Sequence, residues 1–234
     1  MATKTLPAAE RTSKAGTTLF LKTLMAVSGV LFVLFVAAHM AGNLKIIQGE
    51  RAFNSYAEHL RTIGEPILPY AGLLWILRVG LIVSLVAHVG SAAVLASRAS
   101  KARPVKYAVK KNPASTPSSR TMRWGGLALL LFVIFHLLQF TAPKMNFGDG
   151  QTGNPYQLLV GSFEIWWITL IYFAAMVALG LHLHHGVWSA AQTLGLTSTP
   201  KSRRIAKTAG AVVGLVISIG FILPPLLVQF DVIN

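Results

Sequence analysis

The chain has 234 residues, of which 53% are hydrophobic and 12% charged, and its mean hydropathy is +0.59; this excludes a soluble domain and places it in the membrane class. Its net charge of +14 is not a nucleic-acid footprint, because the cations lie in segments bounded by apolar runs rather than on one compact basic face. With no cysteine, neither a disulfide nor a thiolate-held metal is possible.

Residues 1–18 form a polar, basic tail with no short apolar run followed by a small-residue cleavage site, so the first span is expected to be a retained helix and not a signal peptide. Crossing about 30 Å of hydrocarbon takes roughly 20 apolar residues. Five stretches qualify: about 19–44, 67–97, 124–142, 163–192 and 208–230. The expectation is an all-α integral membrane bundle of five transmembrane helices, with residues 19–230 as a single domain. After the first span, "ERAFNSYAEHLR" (50–61) reads as a short interfacial helix with Phe53, Tyr56, Ala57 and Leu60 on one side. Between spans two and three, "KARPVKYAVKKNPASTPSSR" (101–120) is rich in Pro, Ser and Lys and reads as an irregular linker. No internal repeat is evident.

Orientation follows from Lys and Arg near the span ends. The tail and first turn (Lys4, Arg11, Lys14, Lys22), the second inter-span loop (Arg98 to Arg123) and the fourth (Lys201, Arg203, Arg204, Lys207) together hold sixteen cations on one side. The other side holds Lys45, Arg51, Arg61 and Lys144 against Glu50, Glu58, Glu65, Asp149, Glu164 and Asp231. The N-terminus is therefore expected in the cytoplasm and the C-terminus outside, with the basic face free to attract anionic headgroups or dock a soluble partner.

Histidines punctuate the apolar runs: His39 in span one, His88 in span two, His136 in span three, and "HLHH" (His182, His184, His185) in span four. A single ring inside a bilayer can hydrogen-bond a neighbouring helix, but four helices each contributing one calls for a shared purpose. At about 1.5 Å of rise per residue, His39 and His136 fall toward the outer side, and His88 and His182 toward the inner. Two imidazoles at each of two depths is the axial ligation that a pair of six-coordinate b-type haems requires. Small residues near three of these positions (Ala37, Ala38, Gly42; Ala87, Gly90, Ser91; Gly180, Gly186) would suit a flat macrocycle or ordinary helix packing, whereas His136 is flanked by Phe135 and Leu137.

Within the cluster, His182 lies deepest in the apolar run and is the expected ligand. His185, three residues on and near the same helix face, reads as a group that would hydrogen-bond a propionate, lipid or partner, or as an interfacial polar residue, while His184 points elsewhere. Arg78, ten residues before His88 and too deep to snorkel easily, would pair with a haem propionate or with another span's carbonyls. No acidic residue lies well inside any span.

These features resemble the single-chain, five-helix dihaem cytochrome b subunit that anchors succinate:quinone oxidoreductases, including the related fumarate reductases. The matching stretches are "FVAAHMAGN" with "RAFNSYAEHL", "LVAHVG", "FHLLQF" and "LHLHHGVWSAAQTLGLTSTPKSRRI", the last with Gly186, Trp188, Gly195, Thr199, Pro200 and Arg204 in family-like spacing. The resemblance covers residues 19–230. It implies two haem b groups, the outer on His39 and His136 and the inner on His88 and His182, in a multi-pass protein of the bacterial cytoplasmic membrane.

It also implies partners on the cytoplasmic face. A flavoprotein subunit would oxidise succinate at FAD and an iron–sulfur subunit would relay electrons, so this chain would be the non-flavin cytochrome subunit of a succinate dehydrogenase (respiratory complex II, tricarboxylic acid cycle). Its electrons would pass to a quinone, menaquinone in dihaem members. One departure concerns direction: some dihaem fumarate reductases carry a glutamate two positions before the span-four ligand, where this chain has Gly180, and this tilts the expectation toward succinate oxidation. For an outer quinone site the candidates are Glu50, Glu58, His59 and Glu65, each of which also suits a solvated interfacial helix. The alternatives are a cytochrome b anchor of another quinone-linked dehydrogenase or of fumarate reductase, and a haem-free histidine-relay transporter.

Overall fold

The computed structural model describes residues 9–102, 116–142 and 153–234, with side chains from residue 17 onward; most of the expected linker 101–120, and with it Lys144 and Asp149, lies outside the described residues. Among the described residues every regular element is helical. Five helices are long and apolar enough to cross a membrane: α1 (Ala9–Asn43), α3 (Gly72–Lys101), α4 (Pro117–His136), α6 (Trp166–Thr193) and α7 (Pro200–Gln229). A 3-10 turn, Leu44–Gln48, prolongs α1, and a π-helical turn, Leu137–Thr141, prolongs α4. Two shorter helices, α2 (Glu50–Thr62) and α5 (Pro155–Phe163), lie between spans. The expected five-span, all-α bundle is what the chain forms.

Local chemistry sets the boundaries. Thr116 and Thr199 each build a reciprocal capping box with the serine three residues on (Ser119, Ser202), and a proline follows at the first helical position of α4 and α7. Helix α7 therefore starts at Pro200 and not near 208, its basic first turns being invisible to hydropathy. Helix α3 begins at Gly72 and not near Ile67, since Pro66 and Pro69 break the run and Ala71 takes a left-handed φ of 58°. The stretch expected as one span from 163 to 192 is two helices. Glu164 closes α5, and an extended Ile165 (φ −86°, ψ 107°) turns the chain into α6.

An odd number of spans puts the two ends of the bundle on opposite faces, here termed the N-terminal and C-terminal faces. Helix α6 is central, packing against α1, α4 and most intimately α7. That closeness has a backbone cause. A Cβ at Gly214 would sit 2.6 Å from the Gly180 carbonyl oxygen, and one at Gly210 would sit 2.5 Å from that of His184, so only glycine permits the approach. Ser218 Oγ then donates across the seam to the Met176 carbonyl at 2.9 Å, satisfying its hydroxyl where water is scarce. Outward, Leu34, Val86, Leu131, Leu170 and Leu215 are all exposed, a belt far larger than a soluble protein tolerates and suited to lipid.

The densest packing is at the C-terminal face. Ile46, Tyr156, Leu159, Val160, Phe163, Ile168, Tyr172 and Val228 form one buried cluster to which α5, unanticipated from the sequence, contributes four residues. Asn154 starts α5 by accepting from the Tyr156 and Gln157 amides (3.1 and 3.2 Å), with Pro155 behind it. Its Nδ2 donates to Glu50 Oε1 at 2.6 Å, and its Oδ1 accepts from Asn54 Nδ2 at 2.9 Å, so one side chain clamps α5 to α2. Tyr56 of α2 in turn lies on Gly42 of α1, leaving no room for a Cβ there.

Candidate functional site

The four spans that carry single deep histidines converge in pairs. At the C-terminal face, His39 of α1 and His136 of α4 have ring centroids 5.8 Å apart at an interplanar angle of 80°. At the N-terminal face, His88 of α3 and His182 of α6 are 6.3 Å apart at 53°. These are the two pairs that the depth argument brings together.

The partners of the second ring nitrogens define how each imidazole is held. His88 Nδ1 lies 3.1 Å from the Met25 carbonyl oxygen and 3.2 Å from Ser28 Oγ. A carbonyl only accepts, and the Ser28 hydroxyl donates to the Leu24 carbonyl at 2.7 Å, so the proton of His88 sits on Nδ1 and Nε2 is left with a free lone pair. His136 Nδ1 lies 3.0 Å from Tyr172 Oη, and Tyr172 donates to Gln139 Oε1 at 2.8 Å. The single phenolic proton being engaged there, Tyr172 accepts from His136, which again frees Nε2. A ring nitrogen so anchored, with the other nitrogen bare, is the arrangement of metal-ligating histidines. His182 Nδ1 is buried with no hydrogen-bond partner.

Surroundings differ between the levels. The His39/His136 pair is ringed by aromatics: Phe35 stacks on His39 at 5.3 Å, and Phe132, Phe140 and Phe221 lie within 6.0 Å of one ring or the other. The His88/His182 pair has one phenylalanine, Phe32 edge-on to His88 at 5.9 Å, and otherwise meets glycines. A Cβ at Gly29 would stand 3.3 Å from His88 Cε1, and one at Gly126 would stand 3.6 Å from His182 Cε1. Beside His182 a cavity of about 350 Å³ opens between α4 and α6, lined by Trp124, Gly125, Ala128, Val177 and Leu181.

The structure decides between the two uses open to the small residues. Gly42 is covered by Tyr56, and Gly180 is taken up by Ser218 and Gly214, so both serve helix packing; Gly29 and Gly126 are the glycines that face the rings. They carry a signal that sequence reading missed, since the spacings 29 to 39 and 126 to 136 are the same, each glycine preceding, on its own helix, a histidine of the C-terminal-face pair. Ser28, Tyr172 and Gln139 were missed too, because nothing in a linear reading pairs a residue with a ring on another helix.

The remaining candidates fall outside the two pairs. Arg78 stacks its guanidinium on Trp75, 4.9 Å from the ring, and makes no hydrogen bond to another span among the described residues. His185 is half-buried at the N-terminal end of the bundle, and His184 presents its backbone to Gly210. Glu50 is engaged by Asn154. Glu58 is exposed, accepts from Tyr70 at 3.2 Å and lies 4.0 Å from Arg61; partial desolvation and this carboxylate push the Tyr70 phenol above its ordinary pKa. His59 and Glu65 are exposed on the same face, so these four do not gather into one site.

Among the described residues no three His, Asp or Glu side chains come together to cage a bare metal ion. Two imidazoles suffice only for a metal that brings its own equatorial donors, as a macrocycle does. Comparison with known proteins returned no matching family model, curated protein or solved structure.

Proposed function

We propose that this chain is the dihaem cytochrome b anchor of a succinate:quinone oxidoreductase, conducting electrons from an iron–sulfur partner on its basic, cytoplasmic face to menaquinone in the bacterial cytoplasmic membrane. The observation that carries the reading is the ring separation. With a metal–imidazole nitrogen bond of about 2.0 Å and about 1.1 Å from that nitrogen to the ring centroid, two imidazoles that shared one metal would stand about 6 Å apart at most. The two pairs stand 5.8 and 6.3 Å apart. In each pair, one histidine has its Nδ1–H tied back so that Nε2 is free. The cavity beside His182 and the glycines facing the inner rings give a planar group room at that level.

Bound at these positions, haem iron supplies one-electron oxidation and reduction at two depths in the bilayer. The chain's own residues do the rest. His39 and His136 would hold one haem and His88 and His182 the other, and the Met25 carbonyl and Tyr172 fix the orientation of one ring in each pair. The aromatic shell around His39 and His136 excludes water. Lys201, Arg203, Arg204 and Lys207, on the first turns of α7, contribute to the positive face on which the iron–sulfur and flavoprotein subunits would dock.

Purification in mild detergent tests the reading, with haem quantified per chain as the pyridine haemochrome and co-purifying subunits identified. Two haem b per chain with a flavoprotein and an iron–sulfur protein are expected. Two haems with a different dehydrogenase would move the chain to another quinone-linked complex, and a chain without a reduced b-type α band would be a haem-free histidine protein.

A further inference from the structure

We infer that Tyr172, backed by Gln139, is a positioning residue that fixes the tautomer of His136 and strengthens its donation to the outer haem iron; this rests on the dihaem reading above. The three groups form a linear relay within the buried core, with His136 Nδ1 at 3.0 Å from Tyr172 Oη and Tyr172 Oη at 2.8 Å from Gln139 Oε1. With the Gln139 amide oxygen turned toward the phenol, the oxygen can only accept and the phenol has one proton to give. Tyr172 is 8% exposed and Gln139 0%, so no water competes for either contact.

Backbone and packing are shaped to hold this relay. Immediately after His136 the helix widens into the π turn Leu137–Thr141, closed by the Ala142 amide on the Leu137 carbonyl, and Gln139 lies in the middle of it. Such single π turns recur at functional sites. The Tyr172 ring is wedged edge-on between Phe132 (4.9 Å) and Phe163 (4.8 Å), which leaves its hydroxyl little freedom to swing. Burying a tyrosine and a glutamine in a membrane bundle costs desolvation that a Phe–Leu pair would avoid, and Gln139 Nε2 is left without a partner. The contact to His136 supplies what an apolar pair could not.

The inner level has no equivalent side chain: His88 is tied to a backbone carbonyl, and His182 Nδ1 has no partner. An acceptor on Nδ1–H raises the basicity of the ligating nitrogen and favours the oxidised, more positive iron. The relay therefore lowers the potential of the outer centre selectively.

The test is a spectroscopic redox titration of the purified complex, with Tyr172→Phe and Gln139→Leu compared with wild type. Tyr172→Phe keeps the wedged ring and removes only the oxygen. The expected result is an upward shift of the outer-haem wave with the inner wave unmoved, and a smaller shift of the same sign in Gln139→Leu. Unchanged potentials with both haems retained would overturn the inference, as would equal shifts of both waves. Should Tyr172→Phe fail to assemble, Gln139→Leu decides alone, an unmoved outer wave being the overturning result. Should the wild-type chain prove to hold no haem, the dihaem reading falls separately. The ¹⁵N signals of His136 then decide the Tyr172 contact: a proton on Nδ1 in wild type that redistributes toward Nε2 in Tyr172→Phe upholds it, and an unaltered pattern overturns it.

Discussion

The two histidine pairs use the same chemical groups in opposite settings. The pair at the C-terminal face is sunk in rings, with Phe35, Phe132, Phe140, Phe221 and Tyr172 around it and the α5 cluster next to it, so its histidines belong to the packed core. The pair at the N-terminal face is backed by glycines, a serine, a cavity and a single phenylalanine, Phe32, with one backbone hydrogen bond holding His88. One level is thus built by side-chain packing and the other by making room. A substitution should therefore act on the fold at the first level and on occupancy at the second.

Replacing the histidines gives the largest effects and the clearest way to break the comparison. If the proposed dihaem reading holds, His182→Ala should take haem from two per chain to one, by haemochrome assay, and leave the chain folded, because its surroundings are already open. His136→Ala should also remove one haem but lower thermal stability as well. It opens a cavity between Phe132, Phe140 and Tyr172, and deleting a packed core side chain costs on the order of 2–5 kcal/mol. Equal stability in the two variants would refute the difference between the levels.

Next in size are the glycines. Gly29→Val places its Cβ 3.3 Å from His88 Cε1 and adds two methyls to that contact, an overpacking cost on the order of 1–3 kcal/mol. The expected outcome is selective loss of the inner haem signal in low-temperature EPR with the outer one unchanged. Gly90→Ala is the control, since nothing lies within 4 Å of the Cβ it would gain.

The parts of this arrangement that the sequence discloses are those the bilayer dictates. Long apolar runs have one structural solution in lipid, and a fixed rise per residue turns the positions of His39, His88, His136 and His182 into depths, so spans and pairs are legible from spacing alone. Helix α5 is not legible that way. Nine residues cannot register as a span, and its helical signal is the Asn154–Pro155 cap, a two-residue cue. Which of the two uses Gly42 and Gly180 serve is not legible for a related reason. Glycine next to a histidine in sequence says nothing about which partner occupies its face, and here Tyr56 and Ser218 do. The Tyr172–Gln139 relay depends on a π turn and on a contact between two spans, neither of which has a period to detect.

The smallest effect tests whether the rigidity of the C-terminal level comes from α5. Asn154→Ala removes the helix cap and both clamp bonds to α2, a loss of about 0.5–2 kcal/mol if the cap dominates. Phe163 at the far end of α5 stands against Phe140 and Tyr172, so the loosened helix should broaden the outer haem EPR signal while the inner one stays sharp. Asn154→Asp separates cap from clamp. Its carboxylate still accepts from the Tyr156 and Gln157 amides, yet it faces Glu50 Oε1, the acceptor 2.6 Å from the present amide nitrogen. Like charges so close raise the pKa of one carboxyl in the folded state above its unfolded value of about 4, so the folded protein binds the extra proton and gains stability as pH falls toward that value. Thermal melts of Asn154→Asp should therefore rise relative to wild type between neutral pH and about pH 5. A flat difference across that range would mean that α5 is held by its buried apolar face alone and that the Glu50–Asn154–Asn54 clamp contributes nothing to the outer level.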